Sequence, residues 1–333
     1  MEENILEIKD LEIQYVVEEG TVHAVNKINL SIKEGSSVGL VGETGAGKTT
    51  TCLSILRLLS SLTGRVAGGE ILFHGEDLLK KSDSEMQKIR GKKISMIFQD
   101  PMTALNPTKT VGKQIAENVR QHHKCSKKEA YATAVEMLTR VGILPDRAEE
   151  YPHQFSGGMK QRVIIAMALA CNPELILADE PTSALDVTIQ AQVLEMIKNL
   201  QQEFHTAMLL ITHDMGIVAE ACESVGIMYA GEIIEFGRVE DVFESTGHPY
   251  TRGLFGAIPR LDVEKRRLDA INGLMPDPID LPRGCKFHPR CIYATEKCSR
   301  EVPPAEEMSP GHTVCCHNWK DLPHFSADDI GAM

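Results

Sequence analysis

A glycine-rich turn between an apolar strand and a helix constrains this chain more than any other stretch. Residues 37–41 have the pattern of a short buried strand, and residues 50–56 continue as a helix. Between them lies G-x-x-x-x-G-K-T, in which glycines let backbone N–H groups turn inward around a polyphosphate. The helix start adds positive partial charge at the same place. We therefore predict a phosphate-binding loop made of Gly42, Glu43, Thr44, Gly45, Ala46, Gly47, Lys48, Thr49 and Thr50.

Two side chains of this loop have a chemical task in the predicted site. Lys48 is positioned to reach the outer phosphates of a nucleotide, and the Thr49 hydroxyl is positioned to reach Mg²⁺. The alternative is an ordinary glycine turn that carries Lys-Thr by coincidence. The strand before the turn and the helix after it count against that alternative, so we predict that the chain binds a nucleoside triphosphate.

Size and charge limit what else the chain does. Its 333 residues, 42% of them hydrophobic, allow one large core or two smaller ones. A net charge of −12 argues against non-specific nucleic-acid binding, because phosphate backbones attract Lys and Arg. No apolar run approaches the about 18 residues that cross a bilayer, and residues 1–4 lack a signal-peptide pattern. We expect a soluble, cytoplasmic protein that meets a membrane only through a partner.

Hydrophobic periodicity predicts an α/β organisation. Alternation at period two predicts antiparallel strands over residues 5–17, 22–32 and 70–73. A further buried strand is predicted at residues 94–98, and helical periodicity follows over residues 111–141.

Two continuous apolar runs, at residues 175–178 and 208–211, are typical of parallel strands that are covered on both faces. Helical spacing over residues 189–204 joins them into a βαβ unit.

Two acidic residues follow the first of these runs. Asp179 and Glu180 end an apolar strand, on which successive side chains point to opposite sides. Asp179 is a candidate Mg²⁺ ligand, and Glu180 is a candidate general base for an attacking water. In isolation, two solvated acids at a strand end would be the simpler interpretation. Their position downstream of a phosphate loop weakens it.

A second anion-binding turn lies at Ser156, Gly157, Gly158 and Met159. Ser-Gly-Gly before an apolar helix combines a capping hydroxyl with exposed N–H groups. The alternative is an ordinary turn that only caps the helix. Two phosphate-binding turns and one candidate base indicate that two subunits share a nucleotide.

In this order, the motifs resemble those of the ATP-binding subunits of ABC transporters. They comprise the loop at residues 42–49, Gln99 after a strand, the signature at residues 155–159, the 179–180 pair, residues 183–186 and His213. The resemblance covers residues 1–247, with a helical subdomain at about residues 100–170. It implies a P-loop NTPase core with a mostly parallel sheet and an N-terminal antiparallel β-subdomain. Residues 248–333 are predicted as a loop-rich, cysteine-containing extension, since prolines interrupt any long helix there.

The resemblance also implies roles around ATP and Mg²⁺. Tyr15 would stack on the adenine base, and Gln99 would join Thr49 and Asp179 at Mg²⁺. His213 would contact the γ-phosphate beside the base Glu180.

The remaining roles concern the partner subunit. Ser156 and Gly158 would meet the γ-phosphate of the nucleotide that the partner holds, and Asp186 would link the two sites.

Three segments resemble those of dipeptide and oligopeptide importers in particular: residues 99–107, 248–251 and 284–291. Met159 replaces the family's usual glutamine, and a thioether does not replace the hydrogen bonds of an amide. Phe-Ser-Gly-Gly-Met resembles the first (D-type) of two unlike ATPases. The resemblance therefore implies a heterodimer, a homodimer being possible in isolation. It also implies two permease subunits, an extracytoplasmic peptide-binding protein, and a peripheral position on the cytoplasmic face of the membrane.

Five of the nine cysteines crowd into the C-terminal region. Their spacing, C-x5-C-x6-C-x17-C, lacks the tight C-x2–4-C turn that is usual in zinc sites. Iron–sulfur ligation suits it at least as well as zinc, and free thiols are the third alternative. The resemblance implies a [4Fe–4S] cluster held by Cys285, Cys291, Cys298 and Cys316, with Cys315 as the alternative fourth ligand.

The predicted function is ATP hydrolysis that drives peptide import. An importer for nickel or glycosides would share much of this machinery. A soluble ABC ATPase of DNA repair or translation is a weaker alternative, because such proteins usually carry two cassettes or a coiled-coil insertion. A regulatory nucleotide-binding module is disfavoured because both Glu180 and His213 are in place.

Overall fold

The computed structural model describes residues 3–183, 185–256 and 271–325. The chain divides into two compact units that interleave along the sequence. The first unit comprises Met1–Leu6, Ser31–Ser37 and Leu72–Ile211. The second unit comprises Glu7–Leu30, Val38–Ile71 and Thr212–Met333. The predicted boundaries at residues 100, 170 and 247 stay predictions.

The described residues form strands in two sheets together with α-helices of four to eighteen residues. The strands are β1 Asn4–Val17, β2 Gly20–Lys33, β3 Ser37–Val41, β4 Gly64–Phe73, β5 Glu76–Asp77, β6 Ile94–Ile97, β7 Leu175–Asp179, β8 Ala207–Thr212, β9 Ser224–Tyr229, β10 Glu232–Arg238, β11 Glu306–Ser309 and β12 His312–Val314. The helices are α1 Lys48–Ile55, α2 Asp83–Ile89, α3 Pro101–Ala104, α4 Val111–His122, α5 Lys127–Arg140, α6 Gly157–Leu169, α7 Val187–Phe204, α8 Met215–Ala221, α9 Val239–Glu244, α10 Pro249–Gly256 and α11 Glu296–Arg300.

The N-terminal strands form a sheet in the order β2-β1-β4-β5. Strands β1 and β2 are joined by two residues, which makes them an antiparallel hairpin. Their alternating apolar side chains are buried, among them Ile8, Ile13, Ile28 and Ile32. The predicted antiparallel β-subdomain is therefore confirmed.

Strands β6, β7 and β8 of the first unit are parallel neighbours, with Ile176 in register with Ser95 on one side and Met208 on the other. Every residue of β7 is buried, as expected for a parallel strand covered on both faces. Helix α7 joins β7 to β8 and buries Val193, Ile197 and Leu200. The predicted βαβ unit is thus confirmed.

The predicted helical stretch 111–141 consists of two helices, α4 and α5. The break lies at residues 123–126, because Ser126 caps α5. Its hydroxyl accepts from the N–H of Glu129, and the Glu129 carboxylate accepts in return from the N–H of Ser126 at 2.7 Å. This capping box fixes a new helix start inside the periodic pattern.

In the second unit β3 pairs with β9 in parallel, and β9, β10, β12 and β11 continue as antiparallel neighbours. Aromatic side chains fill the core beside them. Tyr229, Tyr250 and Phe287 pack with ring centroids 4.7–5.4 Å apart. The C-terminal residues, predicted as loop-rich, therefore also contribute strands and core side chains to this unit.

The described ranges contain no helix that is both long and apolar enough to cross a membrane.

Candidate nucleotide-binding site

The glycine loop connects buried strand β3 to helix α1 in the second unit. Gly47 takes the N-cap position of α1 with φ +106°, a backbone conformation that favours glycine. A Cβ on Gly47 would lie 2.3 Å from the Ala24 carbonyl oxygen, and one on Gly42 would lie 2.1 Å from the Met228 carbonyl oxygen. Both positions therefore require glycine, because the backbone of another segment approaches so closely. Helix α1 also begins at this loop without a side-chain hydrogen bond to its first N–H groups.

The loop lysine is already placed inside the turn. Lys48 is only 6% exposed, and its ammonium donates to the carbonyl oxygens of Gly42 at 2.6 Å and Glu43 at 3.0 Å. A buried ammonium with donor geometry at the loop carbonyls is held close to where a polyphosphate would bind. The contact of Lys48 with the outer phosphates stays a prediction.

Two C-terminal side chains hold Glu43. Its N–H donates to the Tyr250 hydroxyl at 2.9 Å. Its carboxylate accepts two bonds from Arg290, at 2.8 and 3.1 Å. Neither contact was predicted, since the partners are more than 200 residues apart in the sequence.

Tyr15 and His213 are the other predicted nucleotide residues of this unit. Tyr15 lies on β1, half-buried, and its hydroxyl is 3.4 Å from the Thr50 hydroxyl of α1. The structure therefore brings Tyr15 next to the end of the predicted loop. His213 directly follows β8 and is exposed.

The predicted acidic pair lies in the first unit, and its geometry differs from the expectation in one respect. Asp179 ends β7 and is 3% exposed. Glu180 lies outside the strand with φ +45°, so strand alternation does not determine where its side chain points. Its N–H donates to the Ile211 carbonyl at 2.9 Å, and its Oε2 accepts from the Gln99 side-chain amide at 2.9 Å. Gln99 and Glu180, predicted separately, are thus brought together.

The predicted second turn caps helix α6. The Ser156 hydroxyl accepts from the N–H of Met159, and Ser156 itself is exposed. A Cβ on Gly158 would lie 2.7 Å from Ile189 Cγ2 on helix α7. Asp186 caps that same helix by accepting from the N–H of Ile189 at 3.0 Å. The turn and the Asp186 segment are therefore neighbours within the first unit.

Arg147 organises this turn, a role that was not predicted from the sequence. Its guanidinium lies 4.6 Å from the Phe155 ring centroid and donates to the Gln154 carbonyl at 3.2 Å. A third contact runs to the Met159 thioether at 3.3 Å. The methionine that replaces the usual glutamine is therefore a packing and weak acceptor group for Arg147.

The C-terminal cysteines gather in one part of the second unit. The Cys285 N–H donates to the Cys298 carbonyl at 2.8 Å. Burial, with charge from neighbouring cysteines, raises the pKa of Cys285, Cys291 and Cys316 to about 11. Among the residues that the structure describes, no group of three or more His, Cys, Asp or Glu side chains is placed to hold a metal ion. The metal site therefore stays a prediction.

The His248-Pro249-Tyr250 segment is the centre of a buried polar network. The Glu235 carboxylate accepts from the N–H groups of Gly247 at 2.7 Å and His248 at 3.0 Å, and it lies 3.0 Å from His312 Nε2. Burial lowers the pKa of His248 to about 3. Its neutral Nδ1 accepts from the N–H of Tyr250 at 3.0 Å. This network fixes the start of helix α10 and so the position of the Tyr250 hydroxyl at the loop.

Comparisons with known proteins show the family to which this chain belongs. The ABC transporter family model matches residues 25–183, and the model of the oligopeptide/dipeptide transporter C-terminal region matches residues 234–298. The dipeptide transport ATP-binding protein DppD of Bacillus subtilis is 48% identical, and the match covers 94% of each chain. The oligopeptide transport ATP-binding protein OppD of Escherichia coli is 47% identical, with 94% of this chain and 92% of that protein covered.

A solved structure with the same fold is the dimeric post-hydrolysis state of the ATP-binding cassette MJ0796 bound to ADP and Pi. Its TM-score is 0.64 at 30% identity, over 70% of this chain and 98% of that chain. The fold and the loop define a P-loop ATPase of the ABC type, for which ATP and Mg²⁺ are the expected ligands. More particularly, the chain belongs to the family of ATP-binding proteins of peptide ABC transporters.

Proposed function

We propose that this chain hydrolyses ATP as the energy-supplying subunit of an importer for dipeptides or oligopeptides. The hydrogen bond between Gln99 and Glu180, beside buried Asp179 at the end of β7, carries the hydrolytic part. The match of residues 234–298 to the oligopeptide/dipeptide transporter region supports the cargo, against nickel or glycosides.

Each polar residue has a distinct task in this proposal. Glu180 is the general base that activates water, and Asp179 supports Mg²⁺ with Gln99 and Thr49 as ligands. Lys48 and the N–H groups of the 42–50 loop neutralise the phosphates. Tyr15 stacks on the base, and His213 contacts the γ-phosphate.

The working unit is a dimer with a second ABC ATPase. The exposed Ser156 turn and the Asp186 segment beside it are the surfaces for this partner, because an exposed helix start favours the binding of anions. Met159 supports an unlike partner over a second copy, because the signature that contains it resembles that of the D-type in a pair of unlike ATPases. Two transmembrane permease subunits, which this chain meets at the cytoplasmic face of the membrane, and an extracytoplasmic peptide-binding protein complete the importer.

A Glu180→Gln variant tests the hydrolytic part directly. The amide keeps the size of the side chain but cannot take a proton, so we expect kcat to fall by about 10²- to 10⁴-fold while ATP binding survives. Phosphate release and ATP affinity are measured on the same preparation, with exposed Glu195→Gln as the control. Unchanged turnover in E180Q rules out this base.

The cargo is tested in the assembled transporter. Peptide uptake into vesicles with both permeases should require this chain and ATP. Uptake of nickel or a glycoside, with no response to peptides, would contradict the proposed cargo.

We also propose that Cys285, Cys291, Cys298 and Cys316 hold a [4Fe–4S] cluster. Burial, and to a smaller extent the nearness of Cys298, raises the pKa of the other three thiols, and this nearness supports a common site. The spacing C-x5-C-x6-C-x17-C lacks the tight C-x2–4-C turn that is usual in zinc sites. A cluster distributes its thiolates over four irons, so its ligands need not converge on one point.

The choice of Cys316 as fourth ligand has its own support. The Cys315 thiol donates to the Ile233 carbonyl at 3.6 Å, and its N–H donates to the Ile234 carbonyl at 2.8 Å. Cys315 is thereby directed to strand β10. When bound, the cluster would cross-link the chain segments that carry its ligands.

Metal content of protein purified without oxygen tests this part. About four irons and four sulfides per chain support the cluster, and Cys316→Ser should lose them whereas Cys315→Ser keeps them. Zinc, or free thiols without metal, would contradict it.

A further inference from the structure

Glu43 is an unfavourable residue for its position. It occupies the first x of the G-x-x-x-x-G-K-T motif, and a carboxylate there repels the polyanion that the loop is predicted to hold. Its side chain is 27% exposed, so solvent screens the charge only in part. The loop therefore needs a cation beside Glu43 before it meets a nucleotide.

Arg290 supplies that cation from the C-terminal region. Its side chain is 7% exposed, and it binds both carboxylate oxygens of Glu43, Nη1 to Oε2 at 2.8 Å and Nη2 to Oε1 at 3.1 Å. This two-point geometry is the strong form of a charge-assisted hydrogen bond. It fixes the direction of the carboxylate as well as compensating its charge.

The guanidinium is itself held in place. Its Nε donates to the Asn272 carbonyl at 3.0 Å, and it packs 5.8 Å from the Tyr229 ring centroid and 5.9 Å from that of Phe287. An arginine fixed by such contacts loses little further freedom when it pairs. The Tyr250 hydroxyl holds the backbone N–H of the same glutamate at 2.9 Å.

We propose that Arg290 is a positioning residue for the nucleotide-binding loop. It keeps the Glu43 carboxylate turned and neutralised, so that the loop accepts the phosphates of ATP without a repulsive charge. The C-terminal region is therefore part of the ATP site in function, although Arg290 touches no reacting atom.

A double-mutant comparison on the full chain tests this proposal, with ATP affinity measured by calorimetric titration. Arg290→Gln leaves Glu43 uncompensated and should weaken ATP binding at least about tenfold. Glu43→Gln in the same chain removes the repelling charge, so the double variant should recover most of the affinity. KM for ATP should follow these changes while kcat at saturating ATP stays within about threefold.

Arg300→Gln is the matched control, since Arg300 also pairs with a glutamate in the C-terminal region, Glu296, but on the exposed surface. It should bind ATP as the unaltered chain does. A double variant that binds as weakly as R290Q would mean that Arg290 acts only on folding, and would overturn the proposal. If R290Q does not fold, Arg290→Lys keeps the charge without the two-point contact, and full ATP affinity in that variant would overturn it equally.

The inference rests on the proposed ATPase function, and the two fail differently. If the unaltered chain binds no ATP, the proposed function fails. If the unaltered chain binds ATP and R290Q binds it equally well, only the role of Arg290 fails.

Discussion

The turn at residues 42–47 and the turn at residues 156–158 both lead into a helix, yet they are held differently. In the first, Lys48 is buried in the turn and Glu43 is held by Tyr250 and Arg290. In the second, Ser156 is exposed and caps the helix with its own hydroxyl. The first turn is held by other residues of the same chain, which suits it to bind a nucleotide without a partner. The second turn is exposed, which suits it to contact a nucleotide that a partner subunit holds.

Gly47→Ala gives the largest expected effect on this comparison. The new Cβ meets a backbone carbonyl at 2.3 Å, in a conformation that L-residues avoid. We expect the free energy of unfolding to fall by about 2–5 kcal/mol and ATP binding to fall more than about tenfold. Chemical denaturation and ATP titration measure the two effects.

Gly45→Ala is the control in the same loop. Gly45 also has a positive φ, +86°, but a Cβ there meets nothing within 4 Å. Only the backbone cost of about 1 kcal/mol should appear. Equal effects of the two substitutions would mean that the close approach at Gly47 does not hold the loop.

In the second turn, Gly158→Ala should have a moderate effect. The new Cβ meets Ile189 Cγ2 at 2.7 Å, and this side-chain methyl can move, so we expect a loss of about 1–2 kcal/mol in the free energy of unfolding. Gly157→Ala meets nothing within 4 Å and should leave unfolding unchanged. Thermal denaturation of both variants distinguishes packing against α7 from simple glycine flexibility, and a cost in G157A as large as in G158A would contradict this account.

Ser156→Ala should cost less stability than Gly158→Ala, and it sharpens the comparison most. Loss of the N-cap costs about 1 kcal/mol in unfolding. ATP binding by the isolated chain should stay intact, while ATP hydrolysis by the assembled dimer should fall. Loss of ATP binding in the isolated chain would contradict the view that the 42–47 turn binds ATP without the 156–158 turn.

Sequence reasoning succeeded where the determinants are local. The pattern from Gly42 to Lys48 indicates a strand, a turn and a helix start through neighbouring residues. Strands β7 and β8 were predicted from their continuous apolar runs. The pairing of Glu43 with Arg290 joins residues 247 positions apart, and no periodicity records such a contact. The capping box at Ser126 is also local. The break between α4 and α5 was nevertheless missed, because the helical apolar period continues on both sides of it.

The site residues divide in the same way. Gln99 and Glu180 were predicted from motif order, and their hydrogen bond follows from neighbouring strands β6 and β7. Arg147 was missed because a lone arginine before a turn carries no pattern. The backbone of Glu180 was also mispredicted, because the alternation of a strand was extended one residue too far.

The left-handed backbone of Glu180 bears on how this protein would change under laboratory evolution. A glutamate at φ +45° makes the fold less stable than glycine or asparagine would, because those two residues adopt this conformation more readily. A library screened for heat resistance alone should therefore enrich these two residues at position 180, and the survivors should be inactive. The residue found at position 180 therefore shows whether a selection acted on ATP turnover or on thermal stability alone.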